Sequence, residues 1–239
     1  PFAKAGLTAQ TPDEAAARLG GVFEGLTASD TGISVRIATR NPAQARAVSS
    51  SANIRFQAVD VYDGVALADA CKGCYALVNL VGILNDRGDD GSGFRRAHID
   101  LTATALAACT GAALPCYVQV SALNASPDAP SHYLQTKGEA EALVVAACGL
   151  RTAILRPSVI FGAQDGLFGR FAPLVRWLPF LPLAGASARF QPVYVGDVAA
   201  AVLKILTDER LGSAAQFDLG GPEVCEHLPG IAKMTDRLA

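Results

Sequence analysis

The chain of 239 residues has a formal net charge of −2, with 51% apolar and 18% charged residues. That balance suits a folded globule with a substantial core and excludes an intrinsically disordered chain. It gives no electrostatic reason to expect nucleic acid or an anionic membrane as partner, and the longest apolar runs, LVVAACGL and WLPFLPLAG, are far too short to span a bilayer.

Residues 1–32 are the least regular part of the chain. The opening PFAKAGLTAQ makes a poor buried strand, with Gly6 as its only glycine. Pro1 in place of Met is what a processed precursor or a trimmed chain would show. A helix is expected from Pro12, because Thr11 and Glu14 form a capping-box pair and Pro12 falls in the first turn. From residue 33 strands and helices alternate. ISVRIAT (33–39), IRFQAV (54–59), YALVNLVGIL (75–84), CYVQVSAL (116–123) and RTAILRPSVIF (151–161) read as strands. The third is almost continuously apolar, as a strand buried on both faces must be. Between them lie the Ala-rich helical segments DGVALADAC, FRRAHIDLTATALAACTGA and HYLQTKGEAEALVVAAC.

Such alternation predicts βαβ units and an α/β fold with a Rossmann-like, doubly wound parallel sheet. After residue 161 a helix-like FGRFAPLVRWL, the Pro-rich PFLPLAG, an extended RFQPVYV and the helix GDVAAAVLKIL follow. No linker or repeat separates them, so residues 162–239 are expected to form a small C-terminal lobe of one domain spanning 1–239. The apolar, Pro-broken stretch Trp177–Leu183 could be either a docking surface or a core loop.

Tyr133 and Lys137 stand one helical turn apart in YLQTKGEAE and share a face. An ammonium beside a phenol favours the phenolate and lowers the phenol pKa from about 10. Ser121, at the mouth of the preceding strand, could hold a carbonyl or alkoxide against that phenol. The three together could exchange a proton with a carbon undergoing hydride transfer.

Ligands of a doubly wound sheet lie beyond the carboxyl ends of its strands. Arg40 follows the second expected strand position, where an Arg accommodates a 2′-phosphate and an acidic residue favours a free ribose hydroxyl. Taken alone, Arg40 reads equally well as a polar turn residue. Asp60 could meet an adenine edge or merely cap a turn. Gly82 would let backbone approach a cofactor closely, or serve packing. The strand running into G-x-G-x-x-G that opens a dinucleotide fold is degenerate or missing, since Gly20, Gly21 and Gly25 fall inside the helical segment.

The six cysteines (71, 74, 109, 116, 148 and 225) show no disulfide-scaffold spacing. Cys71 and Cys74 form a C-x-x-C at an expected helix end, with Gly73 at the C-cap. Without a second such pair, and with His98, His132 and His227 at no ligand spacing, no metal site is expected.

ISVRIATRNPAQAR, ALVNLVGILN, VQVSALNASPDAPSHYLQTKGEAEALV, ILRPSVIFG and RFQPVYVGDVAAAV together resemble the atypical short-chain dehydrogenase/reductase family. Within it the chain is most similar to the branch of nucleotide-binding accessory subunits of mitochondrial respiratory complex I and their bacterial relatives, from about residue 33 to 223. The spacing of ILRPSVIFG and RFQPVYVGDV distinguishes this branch from sugar epimerases, which share the Ser and Tyr-x-x-x-Lys. The resemblance implies a tightly held NADPH with a structural role, its nicotinamide near Tyr133 and Lys137. It implies that Ser121, Tyr133 and Lys137 occupy catalytic positions without turning anything over, and that Arg40, Asp60, Gly82 and Pro157 join these three around the cofactor. It places the protein among the other subunits of complex I, on the matrix side of the mitochondrial inner membrane. The competing expectations are a free-standing NAD(P)-dependent reductase or epimerase using the same three residues, and a nucleotide-binding assembly or sensor protein.

Overall fold

In the computed structural model, residues 4–8, 33–45, 52–84, 86, 90–162 and 191–224 are described. Seven parallel strands form the main sheet in the order β3-β2-β1-β4-β5-β6-β9. They are β1 (Lys4–Thr8), β2 (Ser34–Thr39), β3 (Ile54–Ala58), β4 (Ala76–Asn79), β5 (Cys116–Val120), β6 (Arg151–Pro157) and β9 (Ala215–Leu219). The order reverses between β1 and β4, the switch point of a doubly wound sheet. The expected Rossmann-like class is therefore what the chain adopts.

The opening segment corrects the expectation that no strand precedes Ile33. Lys4–Thr8 pairs in parallel on both sides, Leu7 opposite Ile37 of β2 and Val78 of β4. A central strand gains two ladders of backbone hydrogen bonds, and that context overrides a weak propensity. The expected helix from Pro12, the glycine-poor loop before it and the Trp177–Leu183 stretch lie outside the described residues, as do Cys225 and His227.

The helices are α1 (Pro42–Ala45), α2 (Gly64–Cys71), α3 (Ser92–Arg95), α4 (Leu101–Gly111), α5 (His132–Ala146) and α6 (Val195–Thr207). A π-turn over Arg96–Asp100 joins α3 to α4. Asp63 caps α2 by accepting from the Val65 and Ala66 amides, and Ser131 caps α5 by accepting from Leu134. Two apolar clusters cover the faces of the sheet. One joins Val35, Ile37, Val78, Val118 and Leu155 to Val202 and Ile205 of α6. The other joins Leu77, Tyr117 and Ile154 to Leu67 of α2, Leu101 and Ala105 of α4, and Val144 of α5.

Four boundaries differ from the sequence pattern, the smallest being CYVQVSAL, which is strand only to Val120 before the chain leaves the sheet at Ser121. The apolar run 75–84 is strand only to Asn79, whose Oδ1 accepts from the Val81 amide at 3.0 Å and turns the chain out of the sheet. RTAILRPSVIF divides after Pro157. Ser158 then donates to Leu219, and β7 (Ile160–Phe161) pairs with β8 (Val193–Tyr194) as a separate ribbon. Ala215–Leu219, within the stretch assigned to a C-terminal lobe, joins the main sheet beside β6. It is a short edge strand of alternating exposure, too weak a pattern to stand out in the sequence.

One contact fixes how α5 lies against the loop that follows β5. A β-carbon on Gly138 would fall within 2.6 Å of Ser126 and Pro127 backbone atoms. The Ser126 amide donates to Leu134 O at 3.3 Å, and Gln135 Nε2 donates to Ala129 O at 2.7 Å. Gly138→Ala should therefore force loop and helix apart and lower the unfolding free energy by about 2–3 kcal/mol in chemical denaturation. Gly212→Ala, where nothing lies within 4 Å of the added carbon, should change it by less than about 1 kcal/mol.

Candidate functional site

Because every strand of the main sheet is parallel, their carboxyl ends share one edge. Ser121 follows β5 directly, and its amide donates to Leu155 O at 2.7 Å. The side chain is 5% exposed. Among the described residues, Ser121 Oγ is the one buried side-chain polar atom without a hydrogen-bond partner. Such a vacancy costs about 1–3 kcal/mol, and a ligand hydroxyl or carbonyl would remove that cost.

Lys137 is 3% exposed on α5. Its Nζ donates to Val81 O and to Val120 O, each at 3.1 Å. An ammonium has three donors, so one remains for a further group. Burial lowers its pKa to about 8, opposed by the negative charge of Glu141. Glu141, one turn along α5 and 4% exposed, is itself gripped through both oxygens by Arg156 of β6, at 3.0 and 3.1 Å from Nε.

Gly82 lies between Val81 and Ile83 in the loop after β4. A β-carbon there would sit 3.2 Å from Lys137 Nζ and 3.8 Å from His98 Nε2. The bare backbone therefore lets the ammonium close onto the loop. Tyr133 is half-buried on the first turn of α5. Its ring stands edge-on to His98 at 5.4 Å and to Phe94 at 6.1 Å between centroids.

His98, read in the sequence only as a non-ligand, is 1% exposed. Burial, then the Lys137 charge, pushes its pKa down to about 2. Beneath it, Thr102 donates to His98 O at 2.6 Å and lies 3.4 Å from Gln119 Oε1. Asn79 Nδ2 donates to Gln119 and to the Tyr117 hydroxyl, each at 3.2 Å. No motif announces these polar residues. Their only signal is a set of amides, hydroxyls and a histidine at positions that otherwise read as core.

The structure thus gathers Ser121, Lys137 and Gly82 around the ends of β4 and β5, with Tyr133 joined to them through His98. Arg40 and Asp60 stand past β2 and β3 on the same edge, across the switch point. Arg40 is exposed. Asp60 Oδ1 accepts from the Tyr62 amide at 3.1 Å, so it serves a turn whatever else it meets. Pro157 is the buried last residue of β6, and its carbonyl accepts from the Leu123 amide at 3.0 Å. Cys71 and Cys109 are buried thiols whose pKa values burial raises, Cys71 to about 11. Among the described residues no three His, Cys, Asp or Glu side chains are placed to hold a metal ion, and no helix is long and apolar enough to cross a membrane.

A parallel sheet with this switch point and edge defines a Rossmann-like nucleotide-binding protein. Residues 18–209 match the family described as NAD(P)H-binding, and the chain belongs to that family. It is 41% identical over 109 residues to NADH dehydrogenase (ubiquinone) 1 alpha subcomplex subunit 9, mitochondrial, of Arabidopsis thaliana, covering 45% of this chain and 27% of that protein. It is 29% identical over 178 residues to the mouse protein of the same name, covering 72% and 45% respectively. The chain thus spans less than half the length of these relatives. Among solved structures it resembles a UDP-glucuronic acid 4-epimerase from Bacillus cereus in complex with NAD, with a TM-score of 0.79, 16% identity, and coverage of 98% of this chain and 84% of that one. It also resembles a dTDP-glucose 4,6-dehydratase from Streptomyces venezuelae with NAD bound, with a TM-score of 0.76, 19% identity, and coverage of 97% and 80%. At these identities the likeness is one of fold.

The buried ammonium has a measurable consequence. The folded pKa of Lys137 (about 8) lies below its ordinary 10.5, so between these values the unfolded chain binds more protons. Stability from this group therefore rises as pH increases through that window and is lost as pH falls back through the folded pKa. Denaturant titrations should show the wild type gaining on Lys137→Met from about pH 8 to 10.5, at no more than about 1.4 kcal/mol per pH unit. Below pH 7 the two curves should run parallel.

Proposed function

We propose that this chain is the dinucleotide-binding part of an accessory subunit of respiratory complex I, on the matrix side of the mitochondrial inner membrane, holding NADPH as a structural element. The observation that supports this most is the unfilled hydrogen bonding at one point of the sheet edge. There, Ser121 Oγ lacks a partner and Lys137 keeps a spare donor, in a chain whose relatives are named as complex I subunits.

The residues present fit a nicotinamide nucleotide. Lys137 would hold the nicotinamide ribose, Gly82 would admit the backbone of the loop, and Pro157 would border the nicotinamide side. Asp60 would meet the adenine edge, and Arg40 the 2′-phosphate. When bound, the nucleotide supplies a nicotinamide capable of hydride chemistry. Ser121 and Tyr133 could then hold a proton at Oγ and at the phenol oxygen. In the proposed role they pass none, and the nucleotide serves to tie the strand ends together.

The second reading is a reductase or epimerase. Its support is that Ser121, Tyr133 and Lys137 all stand at the same sheet edge. Native electrophoresis separates the two readings, since an accessory subunit migrates with a megadalton membrane complex and a free enzyme as a small oligomer. Purification as a stable monomer or dimer that turns over a small substrate would contradict the proposal.

In the assembled complex, Tyr133→Phe should leave NADH oxidation nearly unchanged. Lys137→Ala should weaken nucleotide retention, because a charge-assisted hydrogen bond is worth about 1.5–3 kcal/mol, and assembly should weaken with it. A large loss of turnover in Tyr133→Phe with assembly and nucleotide intact would favour the enzyme.

Mass spectrometry of nucleotide extracted from the native protein should find NADP(H). A guanidinium grips a 2′-phosphate by paired bonds worth on the order of 2 kcal/mol, or about thirtyfold in affinity, and gains little from a hydroxyl. NAD(H) in the extract would refute the role given to Arg40. An extract without nucleotide would refute the structural cofactor.

A further inference from the structure

We propose that His98, as the neutral Nδ1–H tautomer, is a positioning residue that clamps the loop after β4 onto the first turn of α5. The clamp sets the cleft in which Tyr133 and Lys137 face the nicotinamide half of a dinucleotide. The inference rests on the nucleotide reading above and assigns it a residue outside the Ser-Tyr-Lys set.

The direction of each hydrogen bond around the imidazole is dictated by its neighbours. The Ile83 amide can only donate, and it does so to Nε2 at 3.3 Å. Nε2 is therefore the unprotonated nitrogen. Nδ1 then carries the ring proton and stands 2.8 Å from Thr136 Oγ1. The hydroxyl of Thr136 has its own proton to place, and His132 O and Tyr133 O lie 2.7 and 3.1 Å away. Donors thus run one way, from the Ile83 amide through the imidazole and the Thr136 hydroxyl to the first carbonyls of α5. Protonating Nε2 would set two N–H groups against each other and release Ile83.

The start of the loop is held at two points. Val81 O accepts from the Lys137 ammonium at 3.1 Å, and the Ile83 amide donates to His98 Nε2. Both ties end on α5, one directly and one through Thr136, and Gly82 lies between them. The π-turn at Arg96–Asp100 carries His98. Such turns recur at functional positions because they redirect side chains that a regular helix would aim elsewhere. Tyr133 shares the first turn of α5 with the carbonyl that ends the relay, and its ring meets the imidazole edge-on at 5.4 Å. Loosening the clamp would therefore shift the phenol and the loop together while leaving β2 and β3, and the adenosine end, in place.

The test is Thr136→Val, which removes the acceptor of His98 without touching His98 or Lys137, with Thr136→Ser as the conservative rescue. Calorimetry would compare NADPH with its adenosine half, adenosine 2′,5′-bisphosphate, and in parallel NADH with AMP. The valine variant should bind the whole dinucleotide about tenfold more weakly and the half-ligand with affinity unchanged within about twofold. The serine variant should match the wild type. Equal weakening of both ligands, or no weakening of either, would overturn the clamp. A wild type that binds the half-ligands but gains nothing from the nicotinamide half would do so too. A wild type that binds neither the dinucleotides nor their halves would instead refute the nucleotide reading, and the proposal with it. Nitrogen-15 NMR of the His98 ring gives an answer that needs no ligand. A neutral Nδ1–H tautomer is expected throughout the folded range, and an Nε2–H tautomer or an imidazolium at neutral pH would overturn the proposal even if the valine variant failed to fold.

Discussion

The ammonium of Lys137 is the constraint around which the described part of the chain is organised. A cation with 3% exposure would be expelled or discharged without compensation. Here it meets one carbonyl from the loop after β4 and one from the last residue of β5, and a carboxylate one turn away that is fixed by an arginine from the next strand. Helix α5 and strands β4, β5 and β6 must all be in register for that set to exist. The site is therefore a result of the fold's parallel geometry, which brings carbonyl ends to one edge.

A second layer holds this one in place. Asn79 ends β4 by taking the Val81 amide onto its own side chain, and turns its amide nitrogen to Tyr117 and Gln119 on β5. Thr102 joins that cluster to the backbone of His98. Buried networks of this kind favour one arrangement strongly, because a half-satisfied member costs more than an apolar one. Ser121 Oγ is the exception among the described residues. An unpaired hydroxyl at the mouth of a satisfied network fits a ligand contact better than it fits a structural one.

The sequence makes the sheet legible because buried parallel strands such as YALVNL and CYVQV are almost wholly apolar and the helices between them are rich in Ala. Ser121, Tyr133 and Lys137 are legible through their spacing, and the resemblance carried by ILRPSVIFG and RFQPVYVGDV points to the same family that residues 18–209 match. β1 is hidden, because Lys4 and Gly6 weaken it and only pairing on both sides reveals it. β9 is hidden by its shortness at a sheet edge. His98, Thr136 and Gly138 are hidden for another reason. Their importance lies in partners 15, 38 and about a dozen residues away, and no local pattern encodes such a contact.

The unfilled part of the site invites the most direct examination. A high-resolution crystal structure of the native protein with its own nucleotide would show what fills the spare donor of Lys137 and the unpartnered hydroxyl of Ser121. The account predicts a ribose hydroxyl within hydrogen-bond distance of Lys137 Nζ, the nicotinamide beside Ser121 and Tyr133, and the carbonyls of Val81 and Val120 still on the ammonium. A nucleotide seated elsewhere, or one in place with Lys137 and Ser121 both disengaged, would contradict it.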